Sequence, residues 1–163
     1  FRASYSIHAS NGVLFNHESP IRGNEFVTRK VTDGVAKIKL GLAKKLTLGN
    51  LEAKRDWGFA GDFVEAMYKM VQQENPNDYV VCTGVQHTIR ELLSYAFETA
   101  EISDWERYIE SDPRFKRPAE VHALHGSYAK AKEILGWEPK TEFKDMVALM
   151  VKEDIKRLSN DIR

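Results

Sequence analysis

Three polar stretches of this 163-residue chain carry side chains suited to chemistry. The first, Asn16-His17-Glu18-Ser19-Pro20-Ile21-Arg22-Gly23, directly follows an apolar run that reads as a strand. Ligands of open α/β sheets bind outside the carboxyl ends of strands. There an Asn can hydrogen-bond a phosphate, a His can contact a nicotinamide or sugar edge, and an Arg supplies a bidentate fork. The second, Gly49–Gly58, places Lys54 and Arg55 where they can clamp a diphosphate, with Trp57 packing beneath and Asp56 orienting Arg55. Its structural alternative is a strand-to-helix turn with Asp56 as N-cap. The third runs from Arg114 to Glu120, where Arg117 precedes Pro118 and so sits in extended backbone. It reaches a phosphate or pairs with Glu120. Taken singly, each stretch reads more readily as structure than as a site.

Other chemistries lack their residues. The five histidines, His8, His17, His87, His122 and His125, have no metal-ligand spacing with Cys or Glu. Cys82 falls in an apolar strand and reads as a small core residue. There is no GxSxG elbow, no GxGxxG turn and no GxxxxGK[ST] loop.

Periodicity supplies the elements that must position these side chains. Tyr5–Phe15 reads as a strand running into a loop over 16–25. Val31, Val35, Ile38 and Leu42 mark one helical face, with Gly34 permitting close packing. Lys45–Leu48 is a short strand, and Phe59, Phe63, Met67, Met70 and Val71 mark a second helix. Tyr79–Cys82 is a continuous apolar run, expected of a strand buried on both faces. Thr88 followed by Glu91 is a capping box opening a helix through Ala100. Residues 101–127 read as irregular, 129–135 as a short helix ended by Gly136, and Phe143 to Leu158 as a long amphipathic helix. Alternating strands and helices argue for an α/β fold with parallel pairing, with too few strands for a complete doubly wound sheet.

The composition agrees with a folded domain. The chain is 42% hydrophobic and 29% charged, with 24 basic and 24 acidic residues; it is neither a disordered polyelectrolyte nor, with one Cys, a disulfide scaffold. Zero net charge conceals an asymmetry. Residues 1–57 carry ten Lys/Arg against five Asp/Glu, a surplus of +5 balanced by −5 in the remainder. A basic third suits an anionic ligand or a solvated charged face. No basic stripe or motif suggests nucleic acid, and no apolar run approaches the roughly 20 residues of a membrane helix.

Taken in order, the motifs are similar to those of extended short-chain dehydrogenase/reductases acting on nucleotide sugars. The run Asn11 to Pro20 (NGVLFNHESP), Phe26 to Lys30 (FVTRK) and Leu48 to Gly58 (LGNLEAKRDWG) most resembles the GDP-mannose 4,6-dehydratase family, as do Ala60 to Met67, Asp112-Pro113-Arg114-Phe115, Arg117 to Val121, Lys130-Ala131-Lys132 and Leu135 to Pro139. The Arg-Asp-Trp, Arg-Pro and Leu-Gly-Trp-x-Pro motifs are shared widely among nucleotide-sugar enzymes; the others are more specific. The stretch Ile102–Tyr108 is shorter than in many members.

The resemblance implies the C-terminal part of a Rossmann-like parallel sheet plus the smaller mixed α/β nucleotide-sugar-binding domain. Residues 1–15 and about 58–84 would serve the Rossmann core, and about 16–57 and 85–163 mainly the substrate part, all within 1–163 as the C-terminal portion of an NAD(P)-binding enzyme. By the same resemblance His17 and Arg22 match NADP contacts, and Asn16, Lys30, Asn50, Arg55 and Arg117 match positions holding GDP-mannose. The implied reaction is an internal redox dehydration of GDP-mannose to GDP-4-keto-6-deoxymannose with bound NADP. The glycine-rich loop and the catalytic Tyr and Lys are expected upstream of Phe1, in a missing N-terminal half, so the chain alone is expected to be inactive and its open sheet edge to favour association. The intact enzyme is expected to be a cytoplasmic homo-oligomer, dimer or tetramer. A related GDP-sugar reductase or epimerase and a non-catalytic nucleotide-binding module are the alternatives.

Overall fold

The structure, a computed structural model, describes residues 1–112 and 125–161. In chain order it contains α1 (Arg2–Tyr5), β1 (Asn11–Leu14), β2 (Asn16–Glu18), α2 (Val27–Lys39), β3 (Leu46–Leu48), β4 (Lys54–Arg55), β5 (Trp57–Phe59), α3 (Ala60–Val71), β6 (Asp78–Val81), β7 (His87–Thr88), α4 (Ile89–Thr99), a 3₁₀ turn (Trp105–Tyr108), β8 (Ile109–Ser111), α5 (Ala129–Leu135) and α6 (Phe143–Asp161). The strands form four two-stranded sheets. β1–β6, β2–β5 and β3–β8 are parallel, and β4–β7 is antiparallel.

The helical periodicities place α2, α3, α4, α5 and α6 where the apolar faces require them. The capping box is present at α4: the Glu91 amide donates to Thr88 Oγ1 at 3.0 Å and the Thr88 amide to Glu91 Oε2 at 2.6 Å. Gly136 ends α5 in the left-handed conformation, φ 58°.

The strands depart from expectation where pairing partners decide them. The expected strand over 5–15 is confined to Asn11–Leu14, because its partner β6 is only four residues long and α1 occupies the preceding stretch. The expected loop at 16–25 begins instead as β2, whose ladder to β5 comes from a segment some 40 residues away. β6 is fully buried on one face, where Tyr79 and Val81 lie beneath α3 and α5; on the other face Val80 is half-buried and Asp78 exposed. The region read as irregular after Ala100 contains β8, paired in register with β3.

Two apolar cores result. The larger joins α2, α4 and α6 with β3 and Trp57. The smaller joins α3, α5 and β6 around Phe63, Tyr79 and Trp137. Asp62, at the start of α3, accepts from the amides of Lys140 and Thr141 at 3.0 and 2.9 Å, and its carbonyl accepts from Trp137 Nε1 at 2.8 Å. The α2–α6 seam is held by a buried ion pair, Arg29 Nη2 to Asp154 Oδ1 at 2.8 Å, and by Thr32 Oγ1 donating to Asp154 Oδ2 at 2.8 Å. Arg157 Nη2 adds a second guanidinium 3.0 Å from Asp154 Oδ1.

Burial pushes the Asp154 carboxyl up to about 6, against the pull of Thr32 and Arg29. A carboxyl raised in the fold contributes stability that is present below its ordinary range and is lost as the pH rises through about 6. Arg29→Met removes the principal counter-charge. It is expected to cost about 3 kcal/mol near pH 8, where the carboxylate must remain ionised. The cost should shrink at pH 5, where a proton replaces the lost partner; urea melts at the two pH values measure it. A second expectation concerns Gly58 in β5, where an added Cβ would lie 2.4 Å from Phe63 Cε2 and 3.0 Å from Thr83 Cγ2. Gly58→Ala should destabilise by about 2 kcal/mol through overpacking, read from the same melts.

Candidate functional site

A cavity of about 470 Å³ opens beyond the carboxyl ends of β2 and β3. Its wall is built from the first turn of α2, the Leu48–Asn50 corner, and Ala53, Arg55 and Trp57 from the β4–β5 region. The lining combines three cations, Arg22, Lys30 and Arg55, and two carboxylates, Glu18 and Glu25, with the amides of Asn16 and Asn50 and the flat rings of Phe26 and Trp57. α2 starts at this wall without a side-chain cap. Its first-turn N–H groups therefore add partial positive charge to the same space. Cations, amide donors and a helix N-terminus around apolar rings suit a nucleotide bearing phosphates.

Local structure explains each placement. β2 alternates, so Asn16 and Glu18 line the cavity while His17 lies on the other side of the strand. Ser19 to Phe26 forms two successive turns, closed by the Arg22 amide on the Ser19 carbonyl and the Phe26 amide on the Gly23 carbonyl. Asn50 Oδ1 accepts from the Glu52 amide at 3.0 Å, which fixes the amide side chain at the corner. Arg55 is anchored through its backbone by the pairing of β4 with β7, opposite His87.

Glu18 is the unusual member of the lining. It is 2% exposed, and burial pushes its carboxyl upward, opposed by the Thr28 hydroxyl, Arg22 and His17. Thr28 Oγ1 donates to Glu18 Oε2 at 2.6 Å, and Arg22 Nε lies 3.2 Å from the same oxygen.

Trp57 forms part of the cavity wall and rests on a stack of rings. Its centroid lies 5.8 Å from that of Phe143, which lies 4.0 Å from that of His87. Asp56 does not cap α3, whose N-cap position is Phe59, and its side-chain bonds do not go to Arg55. Instead its buried carboxylate accepts from the Thr83 amide at 3.0 Å, Thr83 Oγ1 at 2.8 Å and the Gly84 amide at 2.8 Å. Cys82 beside it is buried, and its thiol is pushed up to about 11 by burial and by the Asp56 charge, which suits a core residue.

Of the seven residues singled out from the sequence, Asn16, Arg22, Lys30, Asn50 and Arg55 share this cavity. His17 stands outside its lining, with its ring stacked on Phe63 at 5.2 Å and Nδ1 donating to the Phe15 carbonyl at 2.9 Å. Arg117 lies outside the described residues. Glu18, Phe26 and Thr28 were visible only as members of motifs, and nothing local in the sequence marks Ile89 as lining. Among the described residues no three His, Cys, Asp or Glu are grouped to hold a metal ion, and no helix is long and apolar enough to cross a membrane.

The family model described as GDP-mannose 4,6 dehydratase matches residues 1–150. The chain belongs to the GDP-mannose 4,6-dehydratase family. Among its relatives, GDP-mannose 4,6 dehydratase 2 of Arabidopsis thaliana is 54% identical over 155 residues, covering 95% of this chain and 41% of the relative. GDP-mannose 4,6 dehydratase of Homo sapiens is 43% identical over 171 residues, covering 95% of this chain and 46% of the relative. The chain thus spans less than half the length of these two family members. Among solved structures, RMD from Pseudomonas aeruginosa complexed with NADPH superposes with a TM-score of 0.85 at 25% identity, over 96% of this chain and 50% of that one. A dTDP-glucose 4,6-dehydratase from Bacillus anthracis, at 19% identity and a TM-score of 0.81, shares the fold. The mixed α/β architecture is therefore that of nucleotide-sugar enzymes over about half their length.

The Asp56 bonds tie the strand that carries Arg55 and Trp57 to the 83–84 turn. Asp56→Ala strands the Thr83 and Gly84 amides, while the Thr83 hydroxyl keeps the Val85 carbonyl as acceptor. It should lower stability by about 3 kcal/mol, each unpaired buried donor costing about 1–3 kcal/mol. Thermal and urea unfolding of the variant test it.

Proposed function

We propose that this chain is the nucleotide-sugar-binding, carboxyl-terminal portion of a GDP-mannose 4,6-dehydratase. The observation that carries the reading is the convergence of Asn16, Lys30, Asn50 and Arg55, from three separate stretches of sequence, on one cavity with flat apolar walls. In this reading Asn16 and Arg55 hold the diphosphate, with Arg117 as a third ligand. Lys30 and Asn50 hold the remainder of the GDP-mannose. The β1–β6 sheet with α3 and α5 forms the cofactor side, and the α2–α4–α6 layer the sugar side.

The donor set also suits the phosphates of NADP: Arg22 and the uncapped start of α2 face the cavity. His17, with Nδ1–H committed to a carbonyl, keeps Nε2 as an acceptor for an amide or hydroxyl. When bound, NADP supplies reversible hydride transfer to and from the sugar. The residues of this chain bind and orient; the groups that move protons belong, in this reading, to the other half of the intact enzyme. The parent activity is conversion of GDP-mannose to GDP-4-keto-6-deoxymannose, in a homo-oligomer.

Calorimetric titration with GDP tests the binding role. Arg55→Ala should weaken binding about tenfold or more, as expected for a lost charge-assisted phosphate contact, with an unchanged melting temperature. Equal affinity in the variant would remove the diphosphate assignment. Incubation of the chain alone with GDP-mannose and NADP should yield no ketosugar, and detecting one would overturn the division of labour.

A further inference from the structure

Glu18 is the buried one of two carboxylates, with Glu25, in a cavity that also holds three cations, and its contacts explain why it is tolerated there. Both of its recorded partners meet the same oxygen, Oε2: the Thr28 hydroxyl at 2.6 Å and Arg22 Nε at 3.2 Å. Thr28 lies in the first turn of α2, where the helix dipole favours a negative charge. The Arg22 guanidinium carbon lies 3.4 Å from the centroid of the Phe26 ring, so the plane of the fork is set by stacking. Arg22 Nε is buried and its contact with Glu18 is an ion pair without a hydrogen bond, while the side chain as a whole keeps a quarter of its surface exposed. The exposed part is therefore the Nη end. Among the described residues no hydrogen bond or ion pair to the protein is recorded for Nη1 or Nη2.

We infer that Glu18 is a positioning residue: its ion pair at Nε holds Arg22 flat on Phe26 and so presents the two Nη groups to a nucleotide phosphate in the cavity. Pairing at Nε leaves the two Nη groups for a bidentate contact, which a lysine at this position cannot provide. The Glu18 charge is consumed by Arg22 and the start of α2, so it does not repel the incoming phosphate. This inference rests on the nucleotide-binding role proposed above.

The test uses the full chain and three variants, Glu18→Gln, Thr28→Val and Arg22→Lys. In ¹⁵N spectra the Arg22 Nε–H signal, assigned by its loss in Arg22→Lys, should exchange slowly in the parent chain. It should exchange at least tenfold faster in Glu18→Gln, whose amide oxygen still accepts from Thr28 and preserves the fold. GDP and NADPH are titrated separately. Glu18→Gln should weaken one of them about tenfold, identifying whose phosphate Arg22 takes, and Glu18→Gln combined with Arg22→Lys should lose no more than the worse single variant. Thr28→Val should show the same changes in smaller degree, which keeps the test in force if Glu18→Gln does not fold. Unchanged exchange and affinity in Glu18→Gln, or additive losses in the double variant, overturn the inference while leaving the cavity's role intact. Failure of the parent chain to bind either nucleotide overturns both.

Discussion

The three-residue parallel ladder between β2 and β5 is the constraint from which the site follows. It sets Asn16 opposite Trp57 and Glu18 opposite Phe59. These segments lie 41 residues apart in sequence, and closing so long a loop is costly in entropy. The ladder's few hydrogen bonds do not meet that cost alone. Apolar packing on either side does: Trp57 enters the larger core, and Phe63, just beyond β5, enters the smaller. The ladder is thus a seam between two cores, and the cavity opens at one end of it.

Polar groups at this seam are consumed in pairs. Asp56 meets the donors of residues 83 and 84, Glu18 meets Thr28 and Arg22, and Asp62 meets the chain at 140–141. Each of these carboxylates is matched by at least two donors or cations, as burial of charge requires. Each also joins elements distant in sequence or ties a loop to a helix start. The acids fix geometry, and in the proposed role Arg22, Lys30 and Arg55 together supply the cavity's ligand-facing charge.

Much of this was legible in the sequence, and the exceptions have physical causes. Helices announce themselves through local periodicity, so Val31, Val35 and Ile38 were placed on the buried face of α2, and Thr88 with Glu91 gave the start of α4. Short strands lack such a signal, because a three-residue strand exists only where a partner is supplied. Hence Asn16–Glu18 read as loop and Ile109–Ser111 as irregular. Asp56 read as a partner of Arg55 or a helix cap because both, like a cross-chain clamp, demand the same residue type. The cavity residues stood out as motifs, yet their convergence depends on pairings that no local window contains. The separation of His17 from Asn16 and Glu18 follows from strand alternation, which became visible only once β2 was known to be a strand.

The α2–α6 seam has a consequence for the order of assembly during synthesis. Arg29 and Thr32 meet Asp154 across more than 120 residues, and Trp57 in the cavity wall stacks on Phe143 at the first position of α6. A nascent chain that has emerged only as far as α4 carries every cavity residue described here, but neither the acid that neutralises Arg29 nor the ring beneath Trp57. Its α2 still has an apolar flank and a charged residue awaiting burial. The cavity wall is therefore completed only late in synthesis, and premature termination before Phe143 would leave a chain with the cavity's side chains and no ring beneath Trp57.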